Sequence, residues 1–293
     1  LQPRGRARGC LSGNEENWGN GVKPMASDEN YDEPLDEDEA MNQPALQQLL
    51  RVAHKRLDPV LRRLRRPQAG VGVAVTPLGR LLVAQSVRGL MALRFPDRDE
   101  GAGFLSGLRQ NFDVVEDGAL AAEVGDEIKQ LLHGDAAAVT RRRVDLSLIA
   151  SDFQRRALTR LRKVPAGAVT TYQALAGAAG APAAQRAIGN TLAVNPIAIY
   201  VPCHRVIRSD GTIGNYGGGI ERKLALLRAE GFAADRARRI PAAAVYGHLV
   251  TRIFCRPTCA AAKRARRDRM FIFAAPDKAS AAGLRPCKLC HPA

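Results

Sequence analysis

Two groups of residues in this 293-residue chain have the types and spacing to do chemistry. The first is Pro202-Cys203-His204-Arg205-Val206, which follows the apolar run 197–201 and precedes a glycine-rich stretch, and which places the thiol at a predicted strand end. A thiol is nucleophilic only as thiolate, and a neighbouring imidazole that takes the proton brings that form within reach near neutral pH. Taken alone, the pair also fits a buried cysteine packed as a small hydrophobe. The second group is Cys255-x3-Cys259 followed, 27 residues on, by Cys287-x2-Cys290. Two close thiol pairs suit a tetrahedral zinc ion, with four lone structural cysteines as the alternative. His291 adjoins the last of them, but a site with four thiolates needs no fifth ligand.

Composition limits what surrounds these groups. The formal net charge is +15, and residues 28–39 hold eight carboxylates with no Lys or Arg, so setting those eight negative charges aside leaves +23 on the rest. Such an excess points to a polyanionic partner, nucleic acid first. No apolar run approaches the roughly 20 residues of a spanning helix, so no membrane partner is expected. Six cysteines, four of them in close pairs, favour metal ligation over a disulfide framework, and with it a reducing, cytoplasmic setting. The first residues lack both an initiator Met and the apolar core of a signal peptide, which makes Met25 or Met41 a candidate start.

The elements that must position the two groups can be read in order. Residues 1–45 are polar and acidic and are expected to be disordered. Residues 46–67 alternate apolar and basic positions at helical spacing, with a turn or kink expected at Asp58-Pro59 and His54 as a surface side chain. An α/β module over 69–145 opens with three short strands separated by Thr-Pro-Leu-Gly and Val-Arg-Gly turns. Helical spacing returns over 103–110 and 119–132, with His133 ending the second helix and Arg141-Arg142-Arg143 marking a linker. A helical domain over 146–236 begins with the stripe Phe153, Leu158, Leu161. A turn over 165–171 places Thr170 or Thr171 to cap a helix at 172–179, and Gly180-Ala181-Pro182 separates this from a helix at 183–194. Two short helices joined in this way form a helix-turn-helix. A linker over 237–249 then leads to the four-cysteine module, 250–293, in which a strongly basic stretch precedes the strand-like FIFAAP.

From Val169 to Gly231 the chain reads VTTYQALAGAAGAPAAQRAIGNTLAVNPIAIYVPCHRVIRSDGTIGNYGGGIERKLALLRAEG, which resembles the catalytic domain of O6-alkylguanine-DNA alkyltransferases, the self-methylating DNA repair proteins. The resemblance implies a ribonuclease-H-like N-terminal α/β domain and a winged-helix-like catalytic domain. It implies that Cys203 accepts a methyl group from O6-alkylguanine, and from O4-methylthymine, in double-stranded DNA, once and without a cofactor. His204 would act on Cys203 through a water, oriented by Glu230, with Lys223 favouring anionic sulfur and Asn195 bracing the site. Arg186 would fill the gap left by an everted nucleotide, and Tyr172 would crowd the 3′ phosphate and help protonate the base. Tyr216 and Gly217 would line the lesion pocket through ring and backbone; the family often has Ser where this chain has Gly217, so a hydroxyl is missing there.

The segments IFCRPTC and FIFAAPDKASAAGLRPCKLC resemble the methylphosphotriester-repair domain of Ada, in which a zinc-bound cysteine accepts methyl from damaged phosphate. That makes Cys255 a second candidate acceptor and Cys255, Cys259, Cys287 and Cys290 the implied Zn²⁺ ligands. Here the domain follows the alkyltransferase segment, whereas in Ada it comes first, and HLVTRI matches the usual lead-in poorly, so an edge strand is expected to be missing. A purely structural zinc knob stays open for this domain. Besides the suicidal transferase, two further readings are an alkylated-DNA sensor, which would lack the acceptor cysteine, and an adaptive-response regulator, which would need a further helix-turn-helix. A monomer associated with the nucleoid, if the source is bacterial, completes the expectation.

Overall fold

The computed structural model describes residues 43–64, 66–96 and 100–292. The acidic segment expected to be disordered lies, through residue 42, outside these described residues. The chain divides into two compact units, Leu1–Pro59 and Val60–Ala293. In the first, the described residues belong to α1 (Gln43–Leu64), which runs through Asp58-Pro59 without the break expected there. Strong helix formers on both sides outweigh the one backbone hydrogen bond that proline removes.

The second unit opens with a four-stranded sheet of β1 (Gln68–Thr76), β2 (Gly79–Ser86), β3 (Gly89–Arg94) and, beyond α2 (Glu100–Asn111), β4 (Asp113–Glu116), in the order β3-β2-β1-β4. The first three are antiparallel, as their turns require, and β4 returns parallel to β1. Asp117 caps α3 (Gly118–Leu132) by accepting from Leu120 N at 2.9 Å, and Leu120, Val124, Ile128 and Leu131 turn one apolar face of that helix into the core. His133 ends α3, its Nδ1 bonded to Lys129 O.

The basic run after α4 (Ala137–Arg141) is an ordered joint where the sequence suggested a linker. Arg142 forks onto Glu123 and Glu127 and reaches Gln85, and the Tyr200 hydroxyl donates to Glu127 at 2.5 Å, so one ion cluster ties the sheet module to the segment before Cys203. Leu90 N donates to Arg143 O at 2.9 Å, an approach open only because residue 89 is Gly. A Cβ there would sit 2.6 Å from that oxygen, at φ +139°.

Ser151 caps α5 (Asp152–Leu161), which buries Ala157, Leu158 and Leu161. The turn expected over 165–171 contains a strand, β5 (Ala168–Thr171). Thr171 then caps α6 (Tyr172–Ala178) by accepting from Ala174 N, and α7 (Gln185–Ala193) completes the helix pair. β6 (Val206–Ile207) and α8 (Ile220–Ala229) follow. The last module contains β7 (Val245–His248), β8 (Ile253–Cys255), α9 (Ala260–Arg264), β9 (Met270–Phe273), α10 (Pro276–Ala281) and β10 (Arg285–Pro286).

Two expectations fail here for one reason. The stretch 237–249, expected as a linker, contains β7, and the poorly matching HLVTRI leads into β8, so the strand expected to be missing is present, inside the sheet and not at its edge. Both are too short to announce themselves, but they join one six-stranded sheet, β10-β8-β7-β9-β5-β6, in which β9 pairs antiparallel with β5 through Ala168↔Phe273 and Val169↔Ile272. Val169, Ile207, Leu227 and Phe232 pack in one apolar cluster with Ile272 and Ala274. The four-cysteine module therefore shares a core with β5, β6 and α8. Among the described residues no helix is long and apolar enough to cross a membrane.

Candidate active site and metal centre

No strand delivers Cys203, contrary to expectation. Residues 195–202 form a tight turn containing Ile199, a buried β-branched residue held at φ 72°, and Cys203 opens a 3-10 turn, Cys203–Arg205. A β-branched side chain in the left-handed region costs of order 1–3 kcal/mol and persists only where its surroundings fix it. Asn195 supplies part of that fixing. Its Nδ2 donates to Val201 O at 2.9 Å and to Cys203 Sγ at 3.2 Å, while its Oδ1 accepts from Ile197 N at 3.1 Å.

Burial pushes the Cys203 thiol up, and the Asn195 donor, the Lys223 charge and the Tyr216 hydroxyl pull it back only in part. The resting group is thus a thiol that needs a base. His204 is fully buried, with Nε2 2.9 Å from Glu230 Oε1. Burial lowers the His204 pKa, which Glu230 offsets incompletely, so the imidazole rests neutral. With Nε2–H donating to the carboxylate, the lone pair lies on Nδ1, which is buried without a hydrogen-bond partner.

Burial would raise the Glu230 carboxyl, but His204 and Arg205 outweigh it and hold the group at about 2. Arg205 makes the more extensive contact: Nε reaches Oε2 at 2.7 Å, Nη2 reaches Oε1 at 2.6 Å, and Nη1 donates to Val164 O at 2.6 Å. No role was assigned to Arg205 from sequence, although a cation inside an apolar run, next to a buried histidine, calls for a buried acid.

Lys223 has no exposed surface, and its ammonium donates to Val206 O and Ile213 O, both at 2.7 Å, and to Asn215 O at 3.4 Å. Burial lowers it to about 8, against the pull of the Cys203 charge. It therefore pins the glycine-rich loop to β6 as well as placing positive charge near sulfur.

Tyr216 and Gly217 line, with Cys203 and Asn195, a cavity of about 350 Å³ whose far wall is Leu93, Arg94 and Phe95 from the end of β3. The Tyr216 hydroxyl, buried, approaches the sulfur without completing a hydrogen bond, and burial followed by the Cys203 charge raises its pKa. Gly217 has open space where a Cβ would go, so a serine would fit there. Gly218 is the position that must be glycine, because a Cβ would lie 2.8 Å from the Phe95 ring and 2.9 Å from that of Tyr216. Arg222, also unforeseen, stacks on Phe95 at 4.2 Å, bonds Gly218 O and reaches Leu78 O, anchoring the loop to the sheet module. Tyr172 is half-buried at the start of α6, where burial and the Cys203 charge raise its pKa. Arg186 stands apart, exposed near the start of α7.

The sulfurs of Cys255, Cys259, Cys287 and Cys290 lie within 4.8 Å of one another. Zn–S bonds of about 2.3 Å in a tetrahedron put sulfurs roughly 3.8 Å apart, so the set fits Zn²⁺. Arg256 N and Leu289 N point at Cys290 and Cys287 sulfur, each at 3.4 Å, as amide donors around thiolates do. His291, exposed, is not part of the cluster.

A buried thiol with a polarised imidazole, opening on a small cavity beside a helix-turn-helix and flanked by a four-thiolate metal centre, defines a cysteine group-acceptor protein of the DNA-binding kind. Residues 152–232 match the 6-O-methylguanine DNA methyltransferase DNA-binding domain, and residues 232–293 match the metal-binding domain of Ada. A methylated-DNA–protein-cysteine methyltransferase of Mycobacterium leprae is 36% identical over 155 residues, 53% of this chain and 88% of the relative. The chain belongs to the methylated-DNA–protein-cysteine methyltransferase family. The bifunctional activator and repair enzyme Ada of Escherichia coli is also 36% identical, over 54% of this chain, which spans 44% of Ada's length. Among solved structures, Mycobacterium tuberculosis OGT in complex with DNA is 31% identical over 55% of this chain and 93% of that one, with a TM-score of 0.45. The metal implied by the matched Ada domain and by the cysteine cluster is Zn²⁺.

Proposed function

We propose that the chain repairs alkylated double-stranded DNA by moving the alkyl group of O6-alkylguanine, and of O4-methylthymine, irreversibly onto Cys203. The observation that carries this reading is Cys203 in a base-sized cavity, with Asn195 on its sulfur and the Arg205–Glu230–His204 chain behind it. The thiol proton passes through a water to His204 Nδ1, and the imidazolium that forms is stabilised by Glu230. Sulfur then forms a bond to the methyl carbon as the carbon–O6 bond breaks. Tyr172 gives its proton to the departing guanine and is reprotonated from the His204 side, so the net proton moves from sulfur to base. Lys223 and Asn195 favour negative charge on sulfur during the transfer.

Arg186, exposed on α7, occupies the vacated place in the duplex, and Tyr216 and Gly217 receive the everted base. The ribonuclease-H-like description of the N-terminal module is supported by its β3-β2-β1-β4 order with β4 parallel to β1. The protein acts as a cytoplasmic, nucleoid-associated monomer. A sensor without transfer chemistry would not need the acceptor thiol or its base, and both are in place.

Increasing amounts of duplex carrying O6-methylguanine should therefore methylate the chain to one group per molecule and stop. Continued turnover on excess duplex would refute a single-use acceptor. Arg186→Ala should weaken lesion-duplex affinity roughly tenfold or more while leaving the Cys203 environment intact; an unchanged affinity removes Arg186 from the interface.

Cys255 is proposed as a second acceptor, for methylphosphotriesters. Cys255 lines a cavity of about 500 Å³ together with Arg285 and Lys288, cations suited to a phosphate backbone. A zinc-bound thiolate is already deprotonated, and in a four-thiolate site of net charge −2 it remains nucleophilic. After exposure to methylphosphotriester DNA the Cys255 peptide should carry one methyl. An unmodified peptide leaves the zinc site purely structural.

A further inference from the structure

The helix-turn-helix and the zinc module meet along a cleft of about 270 Å³. One wall carries Thr171, Gln173 and Arg208; the other carries Lys263 and Arg267. All three cations are exposed, and none of their side chains makes a hydrogen bond or ion pair among the described residues. The one acid in the lining, Asp210, is occupied by Thr212, through both its backbone N–H and its hydroxyl. Asp210 keeps its negative charge, but three cations against one carboxylate leave the lining net positive, with apolar side chains such as Ile240 and Met270 between them, and cations so placed suit a phosphate backbone.

Its position is as informative as its charge. At one end, Arg208 directly follows β6, which runs on from the Cys203–Arg205 turn and pairs with Thr170 and Thr171 of the cleft, so the cleft starts beside the Cys203 segment. At the other, Tyr246, Ala262 and Met270 form a wall shared with the cavity that contains Cys255, Arg285 and Lys288. The cleft therefore lies between the segment that follows Cys203 and the cavity of Cys255. The β5–β9 pairing and the close approach of Asp268 to Gly177 fix the two walls relative to each other.

We propose that a single DNA duplex is held by both modules at once, with its phosphate backbone seated in this cleft on Arg208, Lys263 and Arg267. The inference rests on the alkyltransferase reading above and extends it: the zinc module is part of the surface that presents lesions to Cys203, whatever its own transfer chemistry. Such contacts carry no base information, which suits a protein that searches sequence-independently.

The test uses the full zinc-loaded chain and a duplex of about 20 base pairs with one O6-methylguanine, its affinity measured over a salt series. Every phosphate that a removed cation no longer neutralises should reduce the slope of log affinity against log salt by about 0.9, so Lys263→Gln with Arg267→Gln should reduce it by about 1.8. A second measurement needs no variant: duplex should protect Lys263 of the wild-type chain from acetylation. If wild type neither binds the duplex nor takes up methyl, the alkyltransferase reading falls and this inference with it. If wild type binds and reacts, but the double variant keeps the wild-type slope or Lys263 is acetylated equally with and without DNA, this inference alone is overturned.

Discussion

Replacing Glu230 by Ala should cost the second unit about 3–5 kcal/mol and lower its melting temperature by about 10 °C, because two buried partners lose their acid together. The Glu230 side chain is 1% exposed, and Arg205 and His204 have no other carboxylate among the described residues. The loss should also depend on pH. Glu230 titrates at about 2 in the folded protein against 4.5 for its ordinary value. A depressed carboxylate stabilises fully above its unfolded value, so its contribution, about 3 kcal/mol, is present above pH ~4.5 and vanishes as pH falls through ~2. Urea titrations of wild type and variant should differ most at pH 7, with the gap narrowing below pH ~4.5 and closing only toward pH ~2. A constant gap from pH 7 to pH ~2 would show that the ion pair is not what Glu230 contributes. Methyl transfer should fall about 10²–10⁴-fold, since His204 would lose the orientation and the charge that make Nδ1 a base.

Zinc removal should have the larger effect on structure. Structural four-thiolate sites contribute an apparent 10–16 kcal/mol, roughly, to the folding of small modules. In this chain the module is not separate: Ile272 and Ala274 pack with Val169, Ile207, Leu227 and Phe232, and β9 pairs with β5, directly before Tyr172. Stripping the metal, or Cys259→Ser, should therefore unfold β7–β10 and also uncover the catalytic core, at about 1.5–3 kcal/mol for each large apolar side chain exposed. The expected observation is one shared thermal transition that moves down on chelation, with faster reaction of Cys203 with thiol reagents. Two transitions, with the catalytic one unmoved, would mean that the modules fold independently.

What could be read from sequence followed the strength of local signals. The first three strands were legible because alternation and their turns agree, and α6 because Thr171 stands at its start with apolar residues behind it. β5, β7 and β8 were not, since strands of three or four residues form only through partners distant in sequence, and that pairing is what joins the two modules. Cys203, His204, Glu230, Asn195, Lys223 and Tyr216 are legible only through a family resemblance; the structure places Asn195, Lys223 and Tyr216 about the Cys203 sulfur and Glu230 on His204. Spacing alone would have left Lys223 and Glu230 as exposed helix charges. Arg205 escaped because a buried ion pair is visible only when both halves are in place. Ile199 escaped because nothing local announces a β-branched residue at positive φ.

Every step of the proposed repair depends on Cys203 being the acceptor. The direct measurement is peptide mass spectrometry of the zinc-loaded chain after reaction with duplex in which the O6-methyl group of guanine is isotopically labelled. The expected result is one labelled methyl on the peptide containing Cys203, absent from Cys203→Ser while that variant still binds the duplex. Label on any other residue, or undiminished uptake by Cys203→Ser, would contradict it.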